Sequence, residues 1–390
     1  MPDERPNHAT ALTATSERFA PQSIADAAAA VRIAHDEDTP MRIVGGGRWL
    51  GAGNPVVASR VLDVSGLRRV VEYVPGDLTL TALAGTTLAE ITESTAEHGQ
   101  WLPLDPFGDP RGTLGATLAT ASAGPLGGSV GLPRDVTVGL SFVTGEGEIV
   151  RGGGRVVKNV AGFDLVRLTI GAWGTLGVIV EATVRLRARP EADETVALAL
   201  PEERDALATL LSTVRASAAE PLSAELLSPA CAARSGLGNR GVMLVRLAGN
   251  AFGVHHQRSA LARLAACEPV SNESWARLQQ SDSMDSAVVR VSRRPSELGR
   301  LWMAAMSIDG MDAHASLARG LVRLRLTSAD RSSLDVFDAA DRRVIERIPP
   351  AWRDRFEPSP EPNNPIARRL RDAFDPRRIL NRGILGEDVT

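Results

Sequence analysis

Several things are scarce in this sequence at once. Its 390 residues contain only two cysteines, Cys231 and Cys267, and of 44 Lys plus Arg only Lys158 is lysine. Two thiols cannot build a disulfide framework or a cysteine-based zinc site, and a reducing cytoplasm is the expected setting. No apolar run approaches the roughly 20 residues of a membrane span. Residues 1–16 are polar and lack the apolar stretch of a signal peptide, so they are expected to form a disordered extension. Charge of one sign is also missing. The formal net charge is -3, which argues against general nucleic-acid binding. What is present, 43% hydrophobic residues, suffices for two or three domains with a sizeable core.

The shortage of lysine makes its exception informative. A nucleotide bias toward arginine codons accounts for the arginines but not for Lys158. Lysine is a compact point charge and arginine a bulky planar fork. Position 158 is therefore either a tight site or a chance survivor.

Local patterns suggest an α+β order. Residues 23–35 form a predicted helix with Ser23 as N-cap. Residues 41–44 form a predicted strand that runs straight into Gly45, Gly46 and Gly47. Further strands are expected at 61–64, within 66–74 and at 78–84. A helix over 87–98 is closed by Gly99. Residues 108–131 are poor in charge and rich in small side chains, which permits close backbone approach to something flat or phosphorylated. A hairpin is expected over 136–151 around Gly145-Glu146-Gly147, then a long strand over 178–187 and a boundary near 190–194. Beyond it come a helix at 203–216, a strand at 242–247 and a helix at 255–267. Strands at 287–291 and 321–326 and a helix at 333–347 follow. An Arg-rich helix and an FDPRRILNRG tail occupy 363–383.

The segment VGGGRWLG, starting at Val44, is a phosphate-loop candidate, since successive N–H groups of glycines can converge on an anion. A Rossmann fingerprint needs glycines at positions one, three and six, opening a helix. Neither Gly45 nor Gly46 starts that spacing, and Gly53-Asn54-Pro55 argues against a helix there. An ordinary glycine turn is the plainer alternative. A side chain at Gly46 is expected to block approach to a diphosphate.

Other motifs follow in a fixed order: HGQWLPLDP, GTLG, ATASAGP, GLPRD, GGRVVKNVAGFDL and GTLGVIVE. Together they resemble the FAD-binding domain of the vanillyl-alcohol-oxidase/p-cresol-methylhydroxylase (PCMH) superfamily. More narrowly they are similar to the FAD-binding accessory subunit of bacterial glycolate oxidase, also called glycolate dehydrogenase. The resemblance covers about 41–187 and returns at 374–381. It implies an α+β architecture: a PCMH-type two-subdomain FAD-binding fold over 21–189, then a smaller α+β domain over 190–350. Residues 1–20 would be an extension, and 351–390 a segment packing back on the FAD domain. The implied function is that of an oxidoreductase subunit taking part in oxidation of a glycolate-type 2-hydroxy acid. Electrons would pass to a catalytic flavoprotein subunit and an iron–sulfur subunit, in the cytoplasm or at the inner membrane face through those partners. Nucleic acid is not an expected partner. The alternatives are a self-sufficient FAD-dependent oxidase or dehydrogenase of another small hydroxylated substrate, and a module that only stores or senses FAD.

The resemblance also assigns residues. Gly45, Gly46, Gly47 and Arg48 would hold the pyrophosphate. Thr113, Gly115, Ala121, Ser122 and Gly124 would line the flavin and diphosphate. Arg134 and Asp135 would lie beneath the isoalloxazine, and Lys158 and Asn159 near it. Gly174, Gly177 and Ile179 would contact the adenosine half. The loop offers no His or Cys for flavin attachment, so FAD is expected to be non-covalent. Phe163 replaces a common tyrosine, and the chain departs from the family from Phe107 onward. A His-rich metal motif typical of the catalytic relatives is not visible among His8, His35, His98, His255, His256 and His314. On a helix His255 and His256 would point about 100° apart, a poor ligand pair, so no metal is expected. Little or no turnover by the isolated chain follows. No catalytic residue is assigned. Lys158 is one candidate, and Arg290, which could clamp a carboxylate, is the other.

Overall fold

The computed structural model describes residues 17–56, 58–154, 163–280, 285–355 and 365–386. Its first part holds two small sheets. Glu17–Phe19, Arg60–Asp63 and Met41–Val44 form a parallel three-stranded sheet in that order. Helix Ile24–Asp36 packs its Ala27, Ala30, Val31 and Ala34 stripe into the same core. Ser23 caps it through a hydrogen bond from Asp26 N. The second sheet is antiparallel, in the order Val70–Val74, Thr79–Leu83, Val178–Arg185, Thr137–Val143 and Ile149–Gly153. Its alternation sends Leu80, Ala82, Leu140, Phe142, Ala182 and Val184 into a core with helices Leu88–Ala96 and Leu114–Thr120. A reciprocal Thr87–Glu90 capping box starts the first of these helices.

The second part is an eight-stranded antiparallel sheet. Its order is Cys267–Val270, Ala192–Ala199, Val242–Gly249, Ser223–Leu227, Asp312–Ser316, Leu321–Leu326, Ala287–Ser292 and Arg342–Arg347. One face carries Leu226, Met243, Val245, Val289, Val322 and Leu324 against helices Arg204–Ala216 and Leu298–Met306, forming the largest core. On the opposite face Leu227 and Leu244 form a second apolar cluster with Trp275 and Leu278. Elsewhere the register puts His314 opposite Arg323, and Arg323 opposite Arg290, on that same face.

Two elements differ from the sequence pattern. The expected helix over 333–347 is a short turn at Ser332–Leu334 followed by the edge strand Arg342–Arg347. The cause lies between them. Asp341, whose side chain is fully buried, pairs with Arg293 at 2.7 Å and Arg300 at 2.6 Å. It also accepts a hydrogen bond from Asp338 N, fixing a turn where the helix would run. The helix expected at 255–267 runs Ala251–Ala262 from an Asn250 cap, and Cys267 opens a strand.

Residues 374–381 return to the first sheets. Leu380 bridges Met41, and Ile379 and Leu380 are buried in the Met41 core. Buried Asp375 accepts from Ile379 N and Leu380 N, closing the turn. No helix among the described residues is long and apolar enough to cross a membrane.

Candidate flavin site

Strand Met41–Val44 delivers the chain into the glycine loop beside an open cleft. The cleft is walled by the loop (Gly45, Gly47, Arg48, Trp49, Leu50), by Gly115, Ala116, Ala119 and Thr120 of the helix Leu114–Thr120, and by Trp173, Gly174 and Gly177 to Ile179. Trp49 and Trp173 meet edge to face at 6.3 Å. Asn381 ties these walls together. Its Oδ1 accepts from Ile43 N and its Nδ2 donates to Trp173 O, both at 2.8 Å.

The three loop glycines are not equivalent. A Cβ at Gly45 would stand 2.6 Å from Thr113 Oγ1. Gly47 has φ +73°, a left-handed conformation that favours glycine. At Gly46 a Cβ would meet only ordinary contacts within the chain, 3.6 Å from Thr113 Cγ2 and 3.7 Å from Arg111 O. Within the chain, Gly45 is required by space and Gly47 by its backbone conformation.

Arg42 belongs to no motif in the sequence. Its side chain lines the cleft from the strand before the loop and is 9% exposed. It has no hydrogen bond or ion pair to any described residue. Burial, reinforced by the like charge of Arg353, lowers it to about 10, so it remains a cation at neutral pH. Arg353 itself donates to Gly53 O at 3.5 Å. Arg48 pairs with Asp109 at 3.0 Å. Arg111 and Arg48 hold the Asp109 carboxyl down to about 2, the bond from Arg111 being the largest cause. A buried, unpaired guanidinium is costly, and a cleft containing one suits an anionic ligand. A diphosphate-bearing dinucleotide fits: glycine N–H groups at the loop, cations at 42 and 48, and apolar walls from Val64, Val178 and Ile179.

Of the residues assigned from the resemblance, Gly45, Gly47, Arg48, Gly115, Gly174, Gly177 and Ile179 line this cleft. Gly115 also packs tightly, since a Cβ would fall 2.7 Å from that of Ala84. Thr113 sits behind the loop as the N-cap of the helix Leu114–Thr120. Ala121 ends that helix with φ +50°, and Ser122 N bonds to Thr117 O. Gly124 backs onto Asp105, whose carbonyl a Cβ would overlap. Arg134 and Asp135 stand apart from the cleft lining. They lie 3.9 Å from each other on the surface, and Asp135 accepts from Leu132 N. Lys158 and Asn159 fall outside the described residues. Arg290 is in the eight-stranded sheet, its Nε 2.9 Å from Glu346 Oε1.

The face of that sheet turned toward residues 105–128 is polar. Arg319, in the turn after Asp312–Ser316, donates Nη1 to Ala123 O at 3.0 Å and Gly124 O at 3.4 Å. Gly108 N donates to Gln279 O, and Gln279 Nε2 to Asp105 Oδ2. Glu225 and His314 lie on this face 2.9 Å apart. Neither stands out in the sequence, because the pair is separated by 89 residues and belongs to no motif. Among the described residues no group of three or more His, Cys, Asp or Glu could hold a metal ion.

The fold is shared with solved structures of the PCMH type. p-Cresol methylhydroxylase with substrate bound superposes with a TM-score of 0.73 at 16% identity, covering 97% of this chain and 91% of that one. An alkyldihydroxyacetonephosphate synthase superposes at 0.69 and 18% identity, covering 94% and 76%. Residues 17–153 match the family described as FAD binding domain. Among curated proteins it is similar to the glycolate oxidase subunit GlcE of Escherichia coli (strain K12), 39% identical over 164 residues, 42% of this chain and 46% of that protein. It is also similar to glycolate oxidase subunit GlcD of Bacillus subtilis (strain 168), 32% identical over 210 residues, 54% and 44%. The matches span less than half the length of either relative.

Proposed function

We propose that the chain is an FAD-dependent oxidoreductase taking part in oxidation of a glycolate-type 2-hydroxy acid, with FAD held non-covalently and electrons relayed to partner subunits. The partners would be a catalytic flavoprotein and an iron–sulfur protein. The observation that carries the reading is the cleft itself, a glycine loop and an unpaired buried Arg42 on an FAD-binding domain that is similar to glycolate oxidase subunits. When bound, FAD would supply the two-electron acceptor. The chain's own residues would do the rest. Gly45 and Gly47 would present backbone N–H groups to the diphosphate, Arg42 and Arg48 would balance its charge, and Trp49 and Trp173 would wall off water.

One observation favours the second reading, in which this chain itself binds substrate: the polar sheet face carrying Glu225, His314 and Arg319. The two readings part in a single experiment. FAD-loaded protein is mixed anaerobically with a panel of 2-hydroxy acids while the visible flavin absorbance is followed. Glycolate or a close analogue is expected to bleach the flavin. Steady-state turnover by the chain alone is expected to stay low, and to rise on adding the partner subunits. Fast turnover without partners would establish the self-sufficient reading. A flavin that no 2-hydroxy acid bleaches, with or without partners, contradicts both.

A further inference from the structure

None of the residues lining the cleft belongs to the polar face of the eight-stranded sheet. Glu225 and His314 lie there, 1% and 5% exposed. An ionised carboxylate only accepts hydrogen bonds, so beside Glu225 Oε2 the proton of a neutral imidazole sits on Nδ1 and the ring lone pair on Nε2. His314 Nε2 is buried and has no hydrogen-bond partner among the described residues. Leaving a buried acceptor unmade is destabilising, which a histidine serving only to pack would avoid.

The surroundings are charged in a consistent sense. Arg290 and Arg323 both pair with Glu346, at 2.9 and 2.7 Å. Arg319 is committed at Nη1 to the carbonyls of Ala123 and Gly124, and its other guanidinium nitrogens make no hydrogen bond to a described residue. Its electrostatic neighbours are Glu225, Arg290, Glu346 and Asp105. Three guanidiniums therefore face two glutamates and Asp105, whose carboxyl burial pushes up to about 7. Arg319 keeps its remaining guanidinium nitrogens for a further acceptor. Phe107, from the flavin-side loop, closes the patch. Its ring centroid is 5.1 Å from that of His314 and 3.9 Å from Arg323 Cζ.

We propose that this patch is a substrate subsite for a small 2-hydroxy carboxylate, in which Arg319 takes the carboxylate and His314, oriented by Glu225, accepts the hydroxyl proton. The proposal rests on the reading of the chain as a 2-hydroxy-acid oxidoreductase. In the step it describes, the O–H bond breaks and its proton goes to His314 Nε2. The Cα hydrogen leaves with both bonding electrons, as hydride, to the bound FAD. The C–O bond becomes C=O, giving the 2-oxo acid. Glu225 is a positioning residue that keeps the acceptor lone pair on Nε2. The Phe107 ring lies against the His314 imidazole, so a hydroxyl reaching the buried Nε2 would have to displace it.

The test uses full-length FAD-loaded protein as wild type, His314→Asn, Glu225→Gln, Arg319→Gln and Phe107→Ala, each checked for flavin content and melting temperature. Glycolate and oxalate, which has no Cα hydrogen to give up, are titrated by calorimetry, and flavin bleaching by glycolate is timed anaerobically. Asparagine at 314 can keep the bond to Glu225 while deleting Nε2. The expected result is oxalate binding weakened at least tenfold in Arg319→Gln. Bleaching should slow about 10²-fold or more in His314→Asn with oxalate binding retained, the low end of what a placed base contributes. Phe107→Ala should speed bleaching, since no ring then has to move for the hydroxyl to reach His314. If His314→Asn does not fold, Glu225→Gln carries the test and should slow bleaching with normal flavin content. Wild type that binds oxalate, loses it in Arg319→Gln, yet is never bleached would support the subsite and overturn the oxidation reading. Wild type that binds neither acid, or folded variants indistinguishable from it, would overturn the subsite.

Discussion

Arg42→Met is expected to loosen FAD and, in the same protein, to stabilise the FAD-free form. The side chain is nine-tenths buried in the cleft wall with no anionic partner among the described residues. In the flavin-free protein that charge is a liability, and a methionine of similar length removes it. Even a buried ion pair is often replaced by apolar side chains with a gain of about 1–4 kcal/mol, and removing a lone buried charge acts in the same direction. With FAD present the sign reverses, because a charge-assisted hydrogen bond contributes about 1.5–3 kcal/mol. The dissociation constant should therefore rise roughly 10- to 100-fold. Fluorescence titration of apoprotein with FAD, alongside thermal melts of the apoprotein, reads both effects. Unchanged affinity with a lower apoprotein melting temperature would make Arg42 an ordinary structural residue.

Asp105→Asn should raise stability above neutral pH and leave it nearly unchanged in mild acid. Burial pushes the Asp105 carboxyl from an ordinary 3.8 to about 7, against the opposing pull of hydrogen bonds from Leu126 N and Gln279. Between those values the folded protein holds a proton that the unfolded chain has released. The stability this gives is complete below about pH 4 and is lost as pH rises toward 7, at about 1.4 kcal/mol per pH unit. Leu126 N and Gln279 Nε2 both donate to Oδ2. The single carbonyl oxygen of asparagine can accept both, so the variant keeps the bonds without the charge. Urea midpoints at pH 4.5 and pH 8 should show wild type weakening with pH and the variant flat, with a gap of a few kcal/mol at pH 8. A wild type that strengthens over that range would contradict the buried, raised carboxyl.

The first half of the fold was legible because its signals are local. A strand ending in three glycines, a Thr87–Glu90 cap and an alternating 178–185 strand each act within a few residues. The glycine loop was legible too, but the space around each glycine was not. Thr113 crowds Gly45 and leaves Gly46 room, a matter of how a distant helix start lands. Arg42 looked like a polar strand residue. Only the cleft, and Arg353 brought from the far end of the chain, reveal an unpaired cation. The Glu225–His314 pair was hidden for the same reason, since it exists only once two strands 89 residues apart are hydrogen-bonded. The reading of 333–347 as one helix failed because buried Asp341 draws Arg293 and Arg300 from other elements, and no local propensity reports that.

The central claim is that this cleft binds FAD without a covalent link. The most direct measurement is the flavin content of the purified protein before and after acid precipitation. The expected result is a yellow protein with one FAD per chain, intact FAD in the acid supernatant, and a colourless pellet that takes FAD up again on refolding. Flavin that stays in the pellet would contradict the non-covalent cleft, and a protein that binds no FAD at all would contradict the site itself.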